Sequence, residues 1–234
     1  LTTGNVYFDN KVNVTSAAAL DIKDLNSVDT TANAYTTYSV AWSPDGKYLV
    51  VGNDGLHQIL FRLDNGILVL VDTIEATDLT RTAAWSPDGK YLALGRLIRG
   101  NTLYRLDGET LTLVNTTAET DPTLSVAWTP NGKYLAVGNS GVNHLYRLDG
   151  ETLTLVPTTA ESDNTISVAW SPNGKYLAVG NSNEANKLYR LDGETLTLVH
   201  TTSESDNTMS VAWSPDGKYL AVGNLDEANR LYRL

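Results

Sequence analysis

Asp78, Asp121, Asp163 and Asp206 share one place in the sequence, each two residues before a threonine: Thr80, Thr123, Thr165 and Thr208. Carboxylates repeated in this way could hold calcium, a sugar or a basic partner. The column also has a structural reading. An aspartate that bonds the backbone two residues on makes an Asx-turn, a common way to open an extended run. The sequence favours the turn, and Tyr35 fills the fifth place. Asp121, Asp163 and Asp206, with Asp226 and Glu227 on a later loop, are candidate contacts for a partner.

A second set of residues breaks the surrounding pattern. Arg96-Leu97-Ile98-Arg99 stands where other copies have a polar loop led by Asn, and Arg81 stands where they have Tyr38, Leu124, Ile166 and Met209. Two aliphatic side chains between two guanidiniums form a candidate protein-contact patch, because interfaces favour apolar anchors with arginine beside them. The plainer reading is a drifted copy, or a salt bridge to neighbouring acids. His57, His144 and His200 fall at three different repeat places, so they form no repeated zinc ligand set. There is no Gly-x-Ser-x-Gly, His-Glu-x-x-His or phosphate loop. Glycoside cleavage would need two carboxylates in unequal surroundings, which near-identical copies do not provide. A chain without catalysis and without a cofactor is expected.

These residues hang on a repeat. "SVAWTPNGKYLAVGN" from Ser125, "SVAWSPNGKYLAVGN" from Ser167 and "SVAWSPDGKYLAVGN" from Ser210 are near-copies, with more degraded versions from Ser39 and Thr82. The tryptophans at 42, 85, 128, 170 and 213 are 43, 43, 42 and 43 residues apart, a period that marks a repeat architecture. Each copy reads as four strands: a from Ser125 to Trp128, b from Lys133 to Gly138, c from His144 to Leu148, and d around Leu153 to Val156. Pro130 and Gly132 shape the a–b turn, and Asp149-Gly150 is expected to be the c–d hairpin pair. Apolar residues fall on both parities, so each sheet is covered on both faces. Small four-stranded antiparallel sheets packed face to face are propeller blades. The tryptophans are then expected in the core, although five in a row would also suit a multivalent sugar platform.

The "SPDG" turn between strands a and b resembles that of the WD-repeat and TolB-like propeller families, over about residues 25–234. The resemblance implies a β-propeller and a binding role, most simply a protein scaffold, and by analogy with five-bladed lectins a glycan-binding alternative. The Gly-His pair and the Trp-Asp pair of the WD-repeat pattern are both missing; strand c ends in Tyr-Arg-Leu, or Phe61-Arg62-Leu63 in the first copy.

"LNSVDTTANAYTTYSVAW" from Leu25 aligns without a gap to "LTLVNTTAETDPTLSVAW" from Leu111, which places residues 25–28 as a strand d. Counted this way, residues 25–234 hold five repeats, expected to close into a ring when residues 25–28 pair with the last strand c. Residues 1–24 are an extension or a decayed blade. The first residue is Leu1 and the one methionine is Met209, so an excised or processed piece is expected. A net charge of −10 opposes a nucleic-acid footprint, which needs a basic stripe. No segment approaches the roughly 20 apolar residues of a membrane span. With no cysteine there is no disulfide framework, and both a secreted and a cytoplasmic setting remain open. Because the a–b and c–d turns are monotonous, the opposite end, with its varied b–c loops and d–a crossovers, is the expected partner-binding face.

Overall fold

A computed structural model of the chain describes residues 35–55, 57–75, 78–157, 164–203, 207–225 and 227–234. Its described elements are all β. Blade one comprises β1 (Thr37–Trp42), β2 (Tyr48–Asn53), β3 (His57–Asp64) and β4 (Ile67–Glu75), and blade two β5 (Thr80–Trp85), β6 (Tyr91–Arg96), β7 (Thr102–Asp107) and β8 (Thr110–Thr116). Blade three comprises β9 (Thr123–Trp128), β10 (Tyr134–Asn139), β11 (His144–Asp149) and β12 (Thr152–Val156), and blade four β13 (Thr165–Trp170), β14 (Tyr176–Asn181), β15 (Lys187–Asp192) and β16 (Thr195–Thr201). Blade five shows β17 (Thr208–Trp213), β18 (Tyr219–Asn224) and β19 (Arg230–Arg233). Every neighbouring pair is antiparallel, in the order a-b-c-d.

The a–b turn is the most regular local structure. Proline sets the first corner, and the glycine that closes the turn has φ near 70° (Gly46, Gly89, Gly132, Gly174 and Gly217). The preceding hydroxyl ties the turn together: Ser43 Oγ accepts from Tyr48 N (2.8 Å) and donates to Asp45 Oδ1, which also accepts from Lys47 N (3.0 Å). Thr129 and Asn131 repeat this set without a charge. In the last turn, the Ser214 hydroxyl and then the Lys218 amide hold Asp216 down at a pKa of about 2. A carboxyl whose folded pKa lies below its unfolded value stabilises the fold above pH ~4, and that contribution disappears as the pH falls through about 2. Asp216→Asn should leave thermal stability at pH 7 nearly unchanged and flatten the loss of stability between pH 4 and 2, as read from melting curves across that range.

The c–d turns correct the sequence reading by one residue. Asp149 pairs with Thr152, so the turn is Gly150-Glu151, with Gly150 at φ 61°. A left-handed first corner alone is the type II′ pattern. In blade one Asp64 pairs with Ile67, and both corners, Asn65 (φ 51°) and Gly66 (φ 84°), are left-handed as in type I′.

Blades join through one motif used repeatedly. Strand a of each blade packs on strand a of the next, and the tryptophan indole donates back to the preceding blade: Trp85 to Ala41 O, Trp128 to Ala84 O, Trp170 to Ala127 O and Trp213 to Ala169 O, at 3.1–3.2 Å. The strand-b tyrosine donates forward to the next c–d turn, as in Tyr134 to Gly193 O (3.0 Å). Arg62, Arg105 and Arg147 reach forward to Glu109, Glu151 and Glu194, the inter-blade ion-pair ladder the recurring arginines imply. Such solvent-facing pairs are screened by water and salt and contribute little, so apolar packing carries the junctions. The core divides accordingly. Tyr91, Ala93 and Leu103 of blade two meet Val126, Trp128, Leu135, Val137, Tyr146 and Leu153 of blade three.

The two ends of the series show the halves of this junction uncovered. Trp42 is 47% exposed where Trp128 is 8% exposed, and Leu231 is exposed where Leu145 is fully buried. Between blade four and β19 a groove of about 190 Å³ runs past Leu188, His200, Tyr232 and Leu234, where blades two to four carry a strand-d leucine. Residues 1–28, including the segment expected to close the ring, lie outside the described residues.

Candidate loop-face binding site

The b–c loops begin where strand b ends, and a side-chain carbonyl shapes each one. Gln58 Oε1 accepts from Asn53 N, and the Oδ1 atoms of Asn101, Asn143, Asn186 and Asn229 accept from the backbone N of Arg96, Asn139, Asn181 and Asn224. Sequence reasoning missed this column, although an amide residue four or five places after the end of every strand b was its signal.

The aspartates of the d–a crossover close the same loops. Asp78 Oδ2 accepts from Ile98 N (2.6 Å) and Arg99 N (2.9 Å), while Oδ1 accepts from Leu79 N (2.8 Å). Asp121 Oδ2 accepts from Val142 N (3.2 Å). In blade one the arrangement is reversed: Asp54 Oδ1 accepts from Thr36 N, and the ring of Tyr35 lies against Gly55. The expected Asx-turn into strand a is therefore a clasp on the b–c loop of the same blade. Asp163, Asp206 and Asp226 lie outside the described residues, and Glu227 is exposed. Among the described residues, no three His, Asp or Glu side chains converge as a metal site would require.

The residues singled out in blade two separate. Ile98 is 69% exposed, Arg99 is exposed beside it, and Leu97 is half-buried with its N–H bonded to Leu79 O. Arg81 is exposed, with its guanidinium 5.4 Å from the centre of the Tyr38 ring. Arg96 is not part of this surface. As the last residue of β6 it is only 5% exposed, and it donates through Nε to Thr102 Oγ1 and through Nη2 to Tyr104 OH, both at 3.2 Å. It corresponds to Asn139 and Asn181, and the parity of the strand turns it inward. The expected pair of framing guanidiniums is reduced to Arg99.

The tryptophans are equally decided by position. Trp85, Trp128 and Trp170 are buried between blades, which leaves them no face for a sugar ring, and Trp42 is exposed on the terminal face.

Repeated four-stranded blades, stacked through their strands a and presenting varied loops at one end, are those of a WD-repeat-like β-propeller. Comparison with known proteins agrees at the level of fold. The family model "WD domain, G-beta repeat" matches residues 28–58, and that of "Eukaryotic translation initiation factor eIF2A" matches residues 136–229. The crystal structure of the Cps50 (Swd1) beta-propeller domain of Myceliophteria thermophila superposes with a TM-score of 0.72 at 16% identity, covering 87% of this chain and 70% of that one. No curated protein sequence matches the chain.

Proposed function

We propose that this chain is a non-catalytic propeller scaffold that binds a protein partner through its b–c and d–a loop face, centred on Ile98, Leu97, Arg99 and Arg81 of blade two. The carrying observation is that Ile98 stands 69% exposed on a loop whose backbone Asp78 holds in place. An apolar anchor on a fixed loop binds with little ordering cost, and a neighbouring arginine is the usual companion at contact sites. Asp121 on the d–a crossover and the exposed Glu227 add acidic groups on these loops, and the sequence repeats acids at Asp163, Asp206 and Asp226, which suits a partner carrying basic residues.

A glycan ligand is the second reading, and the burial of Trp85, Trp128 and Trp170 removes its aromatic platform. The proposal does not depend on how the series of blades is completed. Leu25 and Val28 fall at the alignment positions of Leu153 and Val156, which supports pairing of that segment with β19.

Leu97→Ser, Ile98→Ser and Arg99→Gln together should change stability by no more than about 0.5 kcal/mol per exposed site. The same changes should weaken binding of a partner isolated from the source cell tenfold or more, equivalent to about 1.4 kcal/mol. Polar-to-alanine changes in the 182–185 loop serve as the control. Calorimetric titration of both variants against that partner checks the proposal: equal losses at the two loops would favour the repeated, glycan-type mode, and undiminished binding in the first variant would end the blade-two assignment.

A further inference from the structure

Arg96 sits inside a buried cluster of hydroxyl groups that offers its guanidinium no charged acceptor. Arg96 is 5% exposed, and among the described residues no carboxylate lies within ion-pair distance of its guanidinium; its partners are the hydroxyl oxygens of Thr102 and Tyr104. Thr80, paired with Arg96 across β5 and β6 and therefore on the same face of the sheet, is fully buried, and its Oγ1 has no partner. The other blades show why. Thr123, Thr165 and Thr208 donate to the Oδ1 atoms of Asn139, Asn181 and Asn224 at 2.7, 2.8 and 3.0 Å. Arginine in place of that asparagine removes the acceptor and adds up to five N–H groups. The phenol of Tyr104 and the hydroxyl of Thr102 both accept from Arg96, and each retains its own O–H to donate. A buried cation without a counter-charge is strongly disfavoured, so an acceptor is missing.

The next junction shows what kind of acceptor fits. Tyr146 is the counterpart of Tyr104, and it lies beside the buried carboxylate of Glu119, whose Oε1 accepts from Asn101 Nδ2. Glu119 stands four residues before Thr123, and Glu161 and Glu204 hold the same place before Thr165 and Thr208; before Thr80 the residue is Ala76. Blade two has thus exchanged asparagine for arginine where the sequence also exchanges the acid for alanine. We infer that Arg96, Thr80, Thr102 and Tyr104 form a buried anion site between blades one and two that takes a small monocarboxylate. The guanidinium fork matches the two oxygens of such a group, and the hydroxyls supply the remaining donors.

Formate is the ligand to test on the full chain. Equilibrium dialysis with labelled formate, at constant ionic strength set by a bulky sulfonate, should show saturable binding of one formate per chain, with a parallel saturating rise in melting temperature. Arg96→Asn restores the residue of the other blades and gives Thr80 its acceptor, and it should abolish both effects. Thr80→Val preserves shape while removing one donor, and should weaken formate binding at least threefold in a folded protein. Formate responses that are absent, or equal in the wild type and both variants, would overturn the site. Saturation by chloride as tight as by formate would overturn the assignment to a carboxylate.

Discussion

Trp128→Ala should destabilise the protein by about 3–5 kcal/mol, and Trp42→Ala by far less, although the two residues hold the same place in their blades. Trp128 is buried between blades two and three, packs with Leu135 and Tyr146, and donates to Ala84 O. Its removal leaves a cavity bounded by two rigid sheets, which cannot collapse to fill it. Trp42 has no preceding described blade against it and is 47% exposed. Urea denaturation of both variants measures the difference. Equal losses would mean that something covers the outer face of blade one in solution.

Gly138→Ala is the second large effect, at about 1–3 kcal/mol. A Cβ at Gly138 would come within 2.7 Å of Thr165 Cγ2 and 3.0 Å of Val168 Cγ1, both on β13 of the next blade. Those neighbours are β-branched and packed, so they have no free rotamer into which to retreat. Gly52 and Gly180 meet the next blade in the same way, and Gly95 meets it at Thr123 Cγ2 (2.7 Å) as well as Thr82 Cγ2 of its own blade, so the strand-b glycine is a point of close approach at these junctions. Gly223 is the internal control. The nearest atoms a Cβ would meet there are at 3.8 Å, so Gly223→Ala should cost a few tenths of a kcal/mol or stabilise slightly. The pair is read by the same denaturation experiment, and a loss at Gly223 matching that at Gly138 would show that backbone preference, not blade contact, sets the requirement.

Much of this was legible in the sequence because the repeat states each feature several times. The period located the blades, "SPDG" located the a–b turn, and apolar residues on both parities implied sheets covered on both faces. The arginine of Tyr-Arg-Leu recurs at one place in strand c, and three of these arginines make inter-blade ion pairs. The misses were local. Asp-Gly favours a type I′ turn when taken as the central pair, but Gly-Glu with the left-handed corner at glycine satisfies the same strands, and composition does not separate the two registers. Arg96 was grouped with its loop because the charge stood out, whereas its alignment with Asn139 already placed it at the end of a strand with its side chain inward. The crossover aspartates were given a local turn because an Asx-turn needs only neighbours in sequence. Their partners lie about twenty residues away, in a loop that only the folded blade brings near.

The uniformity of the junctions has a consequence for how the chain assembles during folding. Leu153-Thr154-Leu155-Val156 recurs letter for letter as Leu196-Thr197-Leu198-Val199, so either segment is an equally good mate for β11 or β15. A chain with interchangeable edges carries no address telling a strand which sheet to join. Only the shorter loop closure, which costs less entropy than reaching the more distant sheet, selects the correct mate. At high concentration that advantage shrinks against strands offered by other molecules, and exchange of whole elements between chains becomes the characteristic error. Blade two shares the same four letters in Leu111-Thr112-Leu113-Val114, so among blades one to four it is blade one, whose strand d opens Ile67-Leu68-Val69-Leu70, that offers the assembling chain an edge unlike the rest.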